Sequence, residues 1–187
     1  MLKNNCNNCA LRLFNDKCYN ISGNGAWINN AFIIISNIDN NAYKHKDIDF
    51  SKQIEIMNSI AISSTGGEKV TDVAYLTPLI KCREVNYIAD SNTINCCIKN
   101  LGIEFKTYNP KYILVTGSAV ERFLNTNIHD NLNKIFVTKN NRYYFVNYSP
   151  FIKEYDTIKF ELFKKYLIKF INVIKTNNMN EYEILRI

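Results

Sequence analysis

The stretch "PKYILVTGSAVERFLN", residues 110–125, decides the architecture. Tyr112 to Thr116 is an apolar, strand-forming run, Gly117 breaks it, and the residues from Ala119 onward read as a helix. Strand, glycine turn and helix within sixteen residues make a βα unit, with the helix N-terminus facing the end of the strand. A chain built from such units places its strands in parallel and covers the sheet with helices.

The same alternation continues on both sides. "NAFIIISNI" (30–38) is a short β-branched run bounded by polar turn residues, which suits a buried parallel strand. "DFSKQIEIMNSIAIS" (49–63) carries apolar residues at 54, 56, 57, 60 and 61, close to helical spacing. "KVTDVAYLTPLIKC" (69–82) reads as a second strand with Pro78 towards its end, and "SNTINCCIKNLGIEF" (91–105) as a helix opening on Ser and Asn cap candidates. "NKIFVTKNNRYYFVNYSP" (133–150) predicts a hairpin around Asn140-Asn141. "TIKFELFKKYLIKFINVIK" (157–175) predicts a C-terminal helix with Ile158, Leu162, Tyr166, Phe170 and Ile174 on one stripe. The expected fold is an α/β three-layer sandwich around a mainly parallel sheet, in a single domain over 1–187, with no internal repeat or linker.

No run of about 18 uncharged apolar residues occurs, so no membrane helix is expected. The opening "MLKNNCNNCALRLF" lacks the apolar core of a secretion signal. The expectation is a cytoplasmic, nuclear or viral-replication-compartment protein that is not secreted, with its six cysteines reduced or metal-bound. The net charge of +6 favours polyanionic partners.

Cys6 and Cys9 form a C-x-x-C pair, Cys82 lies far downstream, and Cys96-Cys97 follow it by 14 and 15 residues. A C-x-x-C with two distant cysteines supplies four thiolates, the donor set of a structural zinc or a [4Fe–4S] cluster; buried free cysteines are the plainer alternative. Lys81 and Arg83 flank Cys82, and neighbouring cations stabilise a thiolate.

"CNNCALRLFNDKCYNISGNGAWINNAFIIIS", "YLTPLIKCR" and "NPKYILVTGSAVERFL" occur in that order, and together they resemble the iron–sulfur, family 4 type of uracil-DNA glycosylase over residues 6–155. The resemblance implies a uracil-DNA glycosylase-like fold and a [4Fe–4S] cluster on Cys6, Cys9, Cys82 and Cys96, with Cys97 as the alternative to Cys96. Cys18 matches no ligand position and reads as packing.

That family flips uracil out of DNA and cleaves its glycosidic bond, which takes an acid, a base-reading amide, an aromatic platform and a His that stabilises the leaving base. The chain departs at those positions. Asn37 stands for the acid, with Asp39 two residues on; Pro78 stands for the amide; Ser149 stands for the His. Phe50 or Tyr43 supplies the aromatic. Single groups of this kind are worth roughly 10² to 10³ in rate, so losing three together implies a protein near background. His45 and His129 read as solvated surface residues.

The resemblance also implies a loop that wedges into DNA, here Phe151 and Ile152 with Lys153 for a phosphate, and Lys44, Lys46, Lys139 and Arg142 are further candidates for backbone contacts. Packing of Phe151 and Ile152 under the hairpin is the alternative. The leading expectation is a catalytically degenerate protein that binds DNA weakly and without sequence preference, as a replication or repair accessory with a protein partner. The alternatives are a divergent active glycosylase, and a cluster-stabilised interaction module that binds no DNA.

Overall fold

The computed structural model describes residues 6, 9, 11, 23–36, 51–82 and 89–187. Among them, seven strands form one sheet: β1 (Asn24–Gly25), β2 (Ala31–Ile35), β3 (Tyr75–Pro78), β4 (Tyr112–Thr116), β5 (Lys134–Val137), β6 (Tyr143–Asn147) and β7 (Glu183–Arg186). Their order across the sheet is β1-β3-β2-β4-β6-β5-β7. β3, β2, β4 and β6 are mutually parallel, β1 and β5 run antiparallel to their inner neighbours, and β7 runs parallel to β5. The helices are α1 (Ser51–Thr65), α2 (Val70–Val73), α3 (Ser91–Tyr108), α4 (Ala119–Leu124) and α5 (Thr157–Thr176), with a 3-10 turn at Pro150–Glu154.

Side-chain alternation along the central strands builds the layers. Ala31, Ile33 and Ile35 of β2 and Tyr112 and Leu114 of β4 join one core with α1, α2 and α5. Phe32, Ile34, Ile113 and Val115 face the other way and join a second core with α3 and α4. A strand of period two, buried on both faces, separates two helical layers. The expected α/β sandwich on a mainly parallel sheet is therefore present, with a mixed periphery.

Several local expectations need correction. The run 69–82 is not one strand: Val70–Val73 form a helical turn in which the Asp72 carboxylate accepts from the Lys69 N–H at 2.9 Å, and β3 begins only at Tyr75. Cys82 thus lies four residues beyond the end of β3. The cap of α3 is Asp90, which accepts from the Thr93 N–H at 2.8 Å, rather than Ser91 or Asn92.

On α5 the fully buried line is Phe163, Leu167, Phe170 and Ile171, while Ile158 is 77 % exposed. A strict i, i+4 line drifts around a helix of 3.6 residues per turn, so a stripe drawn from Ile158 leaves the core at one end. The hairpin forms as expected, with Asn141 at φ 56° in its turn. That turn precedes β6, so Lys139 and Arg142 lie at the amino edge of the parallel strands, opposite the edge that Ser149 follows.

Candidate functional site

The parallel strands β3, β2, β4 and β6 all end on one side, and β2 lies between β3 and β4, so the connection from β2 to β3 and the next one from β3 to β4 run in opposite directions across the sheet. Such a switch point at the carboxyl edge is where open α/β sheets bind ligands. Ser36 follows β2, Pro78 ends β3 opposite Ile35, Gly117 follows β4 and Ser149 follows β6 by two residues. The ladder runs on past the strands: Leu79 N–H donates to Ile35 O at 2.8 Å, and Gly117 N–H to Asn147 O at 3.0 Å.

The Ser36 hydroxyl donates to Thr116 O at 3.1 Å and accepts from Ala119 N–H at 3.3 Å. Gly117 turns at φ +60°, and a Cβ there would stand 2.7 Å from Ser36 Oγ and 3.0 Å from Ser149 Cβ. Ser36, Gly117 and Ser149 therefore form one tight knot at the switch point, and none of them, nor Pro78, carries an ionisable group.

Ser149 also caps the 3-10 turn by accepting from Phe151 N–H at 3.3 Å. Beyond it, Ile152 is partly buried and packs against the core of the α5 side. Phe151 is half-buried, 5.6 Å beneath Lys52 Nζ, and Lys52 pairs with Glu154 at 2.7 Å. Lys153 is exposed. The outermost apolar side chain of this segment is Tyr155, at 81 % exposure.

On the α3 side the thiols gather. Cys6, Cys9, Cys96 and Cys97 are free cysteines. Cys9 N–H donates to Cys6 O at 3.2 Å. The Cys96 thiol makes a hydrogen bond with Cys9, and burial, followed by the charge of Cys9, pushes it above the ordinary thiol value. Cys97 is pushed up to about 11, first by burial, with Cys9 and Cys6 adding to the effect and the Lys81 backbone N–H opposing it. Asn100 Nδ2 donates to Cys6 Sγ at 3.3 Å. The N-terminal pair and the adjacent pair on α3 thus share one neighbourhood across some ninety residues of chain.

Cys82 is buried and disulfide-bonded. Among the described residues, no three His, Cys, Asp or Glu side chains stand in a metal-holding arrangement. The type of the donors, though not their arrangement, suits a thiolate-bound centre: four free cysteines come from two distant segments, and N–H donors reach the sulfurs of Cys6 and Cys97.

Lys81 differs from its expected part. Its side chain is fully buried, and its ammonium lies 2.8 Å from both carboxylate oxygens of Glu104 on α3. Thr77 Oγ1 donates to Glu104 Oε2 at 2.9 Å, and Lys81 also reaches Thr77. Burial lowers the Lys81 pKa and Glu104 opposes that. Its charge is met by Glu104 more than by any thiol, and the buried pair ties the end of β3 to α3.

The structure thus brings Cys6, Cys9, Cys96 and Cys97 together, and separately Ser149 and the carboxyl-edge turns. His129 is at the surface beside Asp130, 3.2 Å away, as expected. Cys18, Asn37, Asp39, Tyr43, Lys44, His45, Lys46, Phe50 and Arg83 lie outside the described residues. Asn100 and Glu104 are the buried polar groups that the sequence reading passed over. Their signal was available: with Cys97, Leu101 and Phe105 they occupy one face of α3 at spacings of three and four. No helix among the described residues is long and apolar enough to cross a membrane. Compared with family models and with curated proteins, the chain finds no match.

Proposed function

We propose that the chain is an iron–sulfur protein of the uracil-DNA glycosylase-like kind, whose carboxyl sheet edge binds DNA and whose base-excision machinery has lapsed. The observation that carries this reading is the meeting of free thiols from the N-terminal C-x-x-C and from α3, beside the segment that leaves β3 through Lys81 to Cys82. The proposed ligands are Cys6, Cys9, Cys82 and Cys96, with Cys97 as the alternative to Cys96. A disulfide at Cys82 and a cluster ligand at Cys82 are two oxidation states of one site, so the cluster form belongs to reducing conditions.

DNA binding rests on the edge itself. The switch point, the exposed Lys153 and the 3-10 turn that holds Phe151 lie together at the carboxyl ends of the parallel strands. Lapsed catalysis rests on what fills that edge. Pro78 has no amide to read a base, and the Ser149 hydroxyl accepts from Phe151 N–H and cannot carry the charge of an imidazolium.

The test is anaerobic purification followed by metal analysis and a single-turnover assay on uracil-containing single strands. Brown protein with about four irons per chain is expected. DNA binding should be sequence-independent, with a salt slope equivalent to roughly two to four phosphates, and no abasic product should form. Colourless protein with one zinc overturns the cluster, absence of DNA binding at low salt overturns the interface, and abasic product lost in Asp39→Asn overturns the lapse.

A further inference from the structure

Asn100 is completely buried on α3, four residues after Cys96 and three after Cys97. An amide side chain in an apolar core is destabilising when its hydrogen bonds go unmade, so its partners carry information. One of them is a sulfur: Nδ2 donates to Cys6 Sγ at 3.3 Å. A thiol is a weak acceptor, whereas a thiolate or a metal-bound sulfur is a strong one. The amide N–H and the Cys6 sulfur are thus held in contact inside the core.

The helix carrying this donor also carries two of the gathered thiols. We infer that Asn100 is the positioning residue of the thiol centre. It holds the Cys6 sulfur towards the Cys96-Cys97 pair and stabilises the negative charge that this sulfur carries when it ligates a metal. The inference rests on the proposed thiolate centre and adds to it a specific donor from outside the ligand set. Two consequences follow from N–H···S bonding: tighter metal binding, and a higher reduction potential for an iron–sulfur group held there.

The test uses the full chain, reduced and metal-free, titrated with cobalt(II), whose thiolate charge-transfer absorption reports sulfur ligation directly. Asn100→Leu keeps the side-chain volume and removes the donor; Asn100→Asp keeps the shape and places a carboxylate near the sulfur. Each should bind cobalt(II) about 10- to 100-fold more weakly, with a shifted charge-transfer band, and Asn100→Asp should be the weaker of the two. In iron-reconstituted protein, Asn100→Leu should lower the midpoint potential, a quantity that mere support of the fold would leave unchanged. Wild-type affinity, band position and potential in a folded Asn100→Leu protein overturn the inference and leave the thiol centre standing. A wild-type protein that takes up neither cobalt nor iron overturns both. Should Asn100→Leu fail to fold, Asn100→Asp decides on the same criteria.

Discussion

Replacing Lys81 by Met isolates the buried charge pair that fastens the end of β3 to α3. Lys81 is fully buried and Glu104 nearly so, at 4 % side-chain exposure, with the ammonium 2.8 Å from each carboxylate oxygen. Methionine fills the volume of the lysine stem, so little packing is lost. What changes is Glu104, which keeps only the Thr77 hydroxyl as a donor among these groups. It then has two options. An uncompensated buried carboxylate costs about 3–5 kcal/mol. Protonating it at pH 7, from an ordinary value near 4.3, costs about 4 kcal/mol at 1.36 kcal/mol per unit. Both routes give the same magnitude.

The second route has a pH signature. The second route binds a proton that the unfolded chain does not bind at pH 7, so the handicap is small at low pH and grows as pH rises. Urea denaturation of wild type and Lys81→Met in the same redox and metal state should show a deficit of about 4 kcal/mol at pH 7. The deficit should shrink by about 1.4 kcal/mol per unit down to pH 5. The double variant Lys81→Met/Glu104→Leu should recover most of the loss, since a well-packed apolar pair replaces a buried ion pair at little cost. A deficit under about 1 kcal/mol at pH 7, or one that is flat between pH 7 and 5, would refute the pairing and the burial on which it rests.

Gly117→Ala places a methyl group at φ +60° and 2.7 Å from Ser36 Oγ, so urea denaturation should show a loss of about 1–3 kcal/mol, partly returned by Ser36→Ala. A neutral result would mean that the knot at the switch point is loose. In the reduced, metal-free protein, Cys97 keeps its proton up to about 11 while the unfolded chain releases it near 9.0. The stability this supplies is whole below pH 9 and is lost as pH rises through 11, about 3 kcal/mol in all. Cys97→Ala should flatten that part of the stability profile, and an unchanged profile would count against the burial of the thiol.

The fold was legible because its strongest signals are local. The apolar run ending at Gly117 needs only strand propensity and a turn, and it forms β4 and α4 as read. The run 69–82 misled because the Asp72 cap on Lys69 N–H turns Val70–Val73 into helix, a side-chain effect that apolar content does not register. The site was legible in part. Cysteine spacing shows which sulfurs are available; of these, Cys96 and Cys97 interact with Cys9 and Cys6, while Cys82 is held in a disulfide. Spacing does not show where a lysine side chain goes. Lys81 beside Cys82 looked like a partner for a thiolate, yet its ammonium turns to Glu104, 23 residues away in sequence. That contact depends on how α3 lies against the end of β3, which only the folded sheet defines.

On the proposed reading, the retained thiol centre and the lapsed chemistry have a common physical explanation. The sulfurs belong to the α3 core: Cys9, Cys82 and Cys97 pack with Leu79, Ile80 and Leu101, and Cys97 sits one turn from Leu101 and two from the Glu104 that holds Lys81. Losing a sulfur there leaves a cavity in the core and frees the N-terminal segment from α3, so the cost falls on folding. The carboxyl-edge positions are different. Ser149 makes a cap bond of its own, and Pro78 ends a strand whose ladder continues through Leu79 and Ile80. Both residues satisfy their local backbone without any catalytic group. Chemistry at the edge can therefore disappear while the core and the binding surface persist.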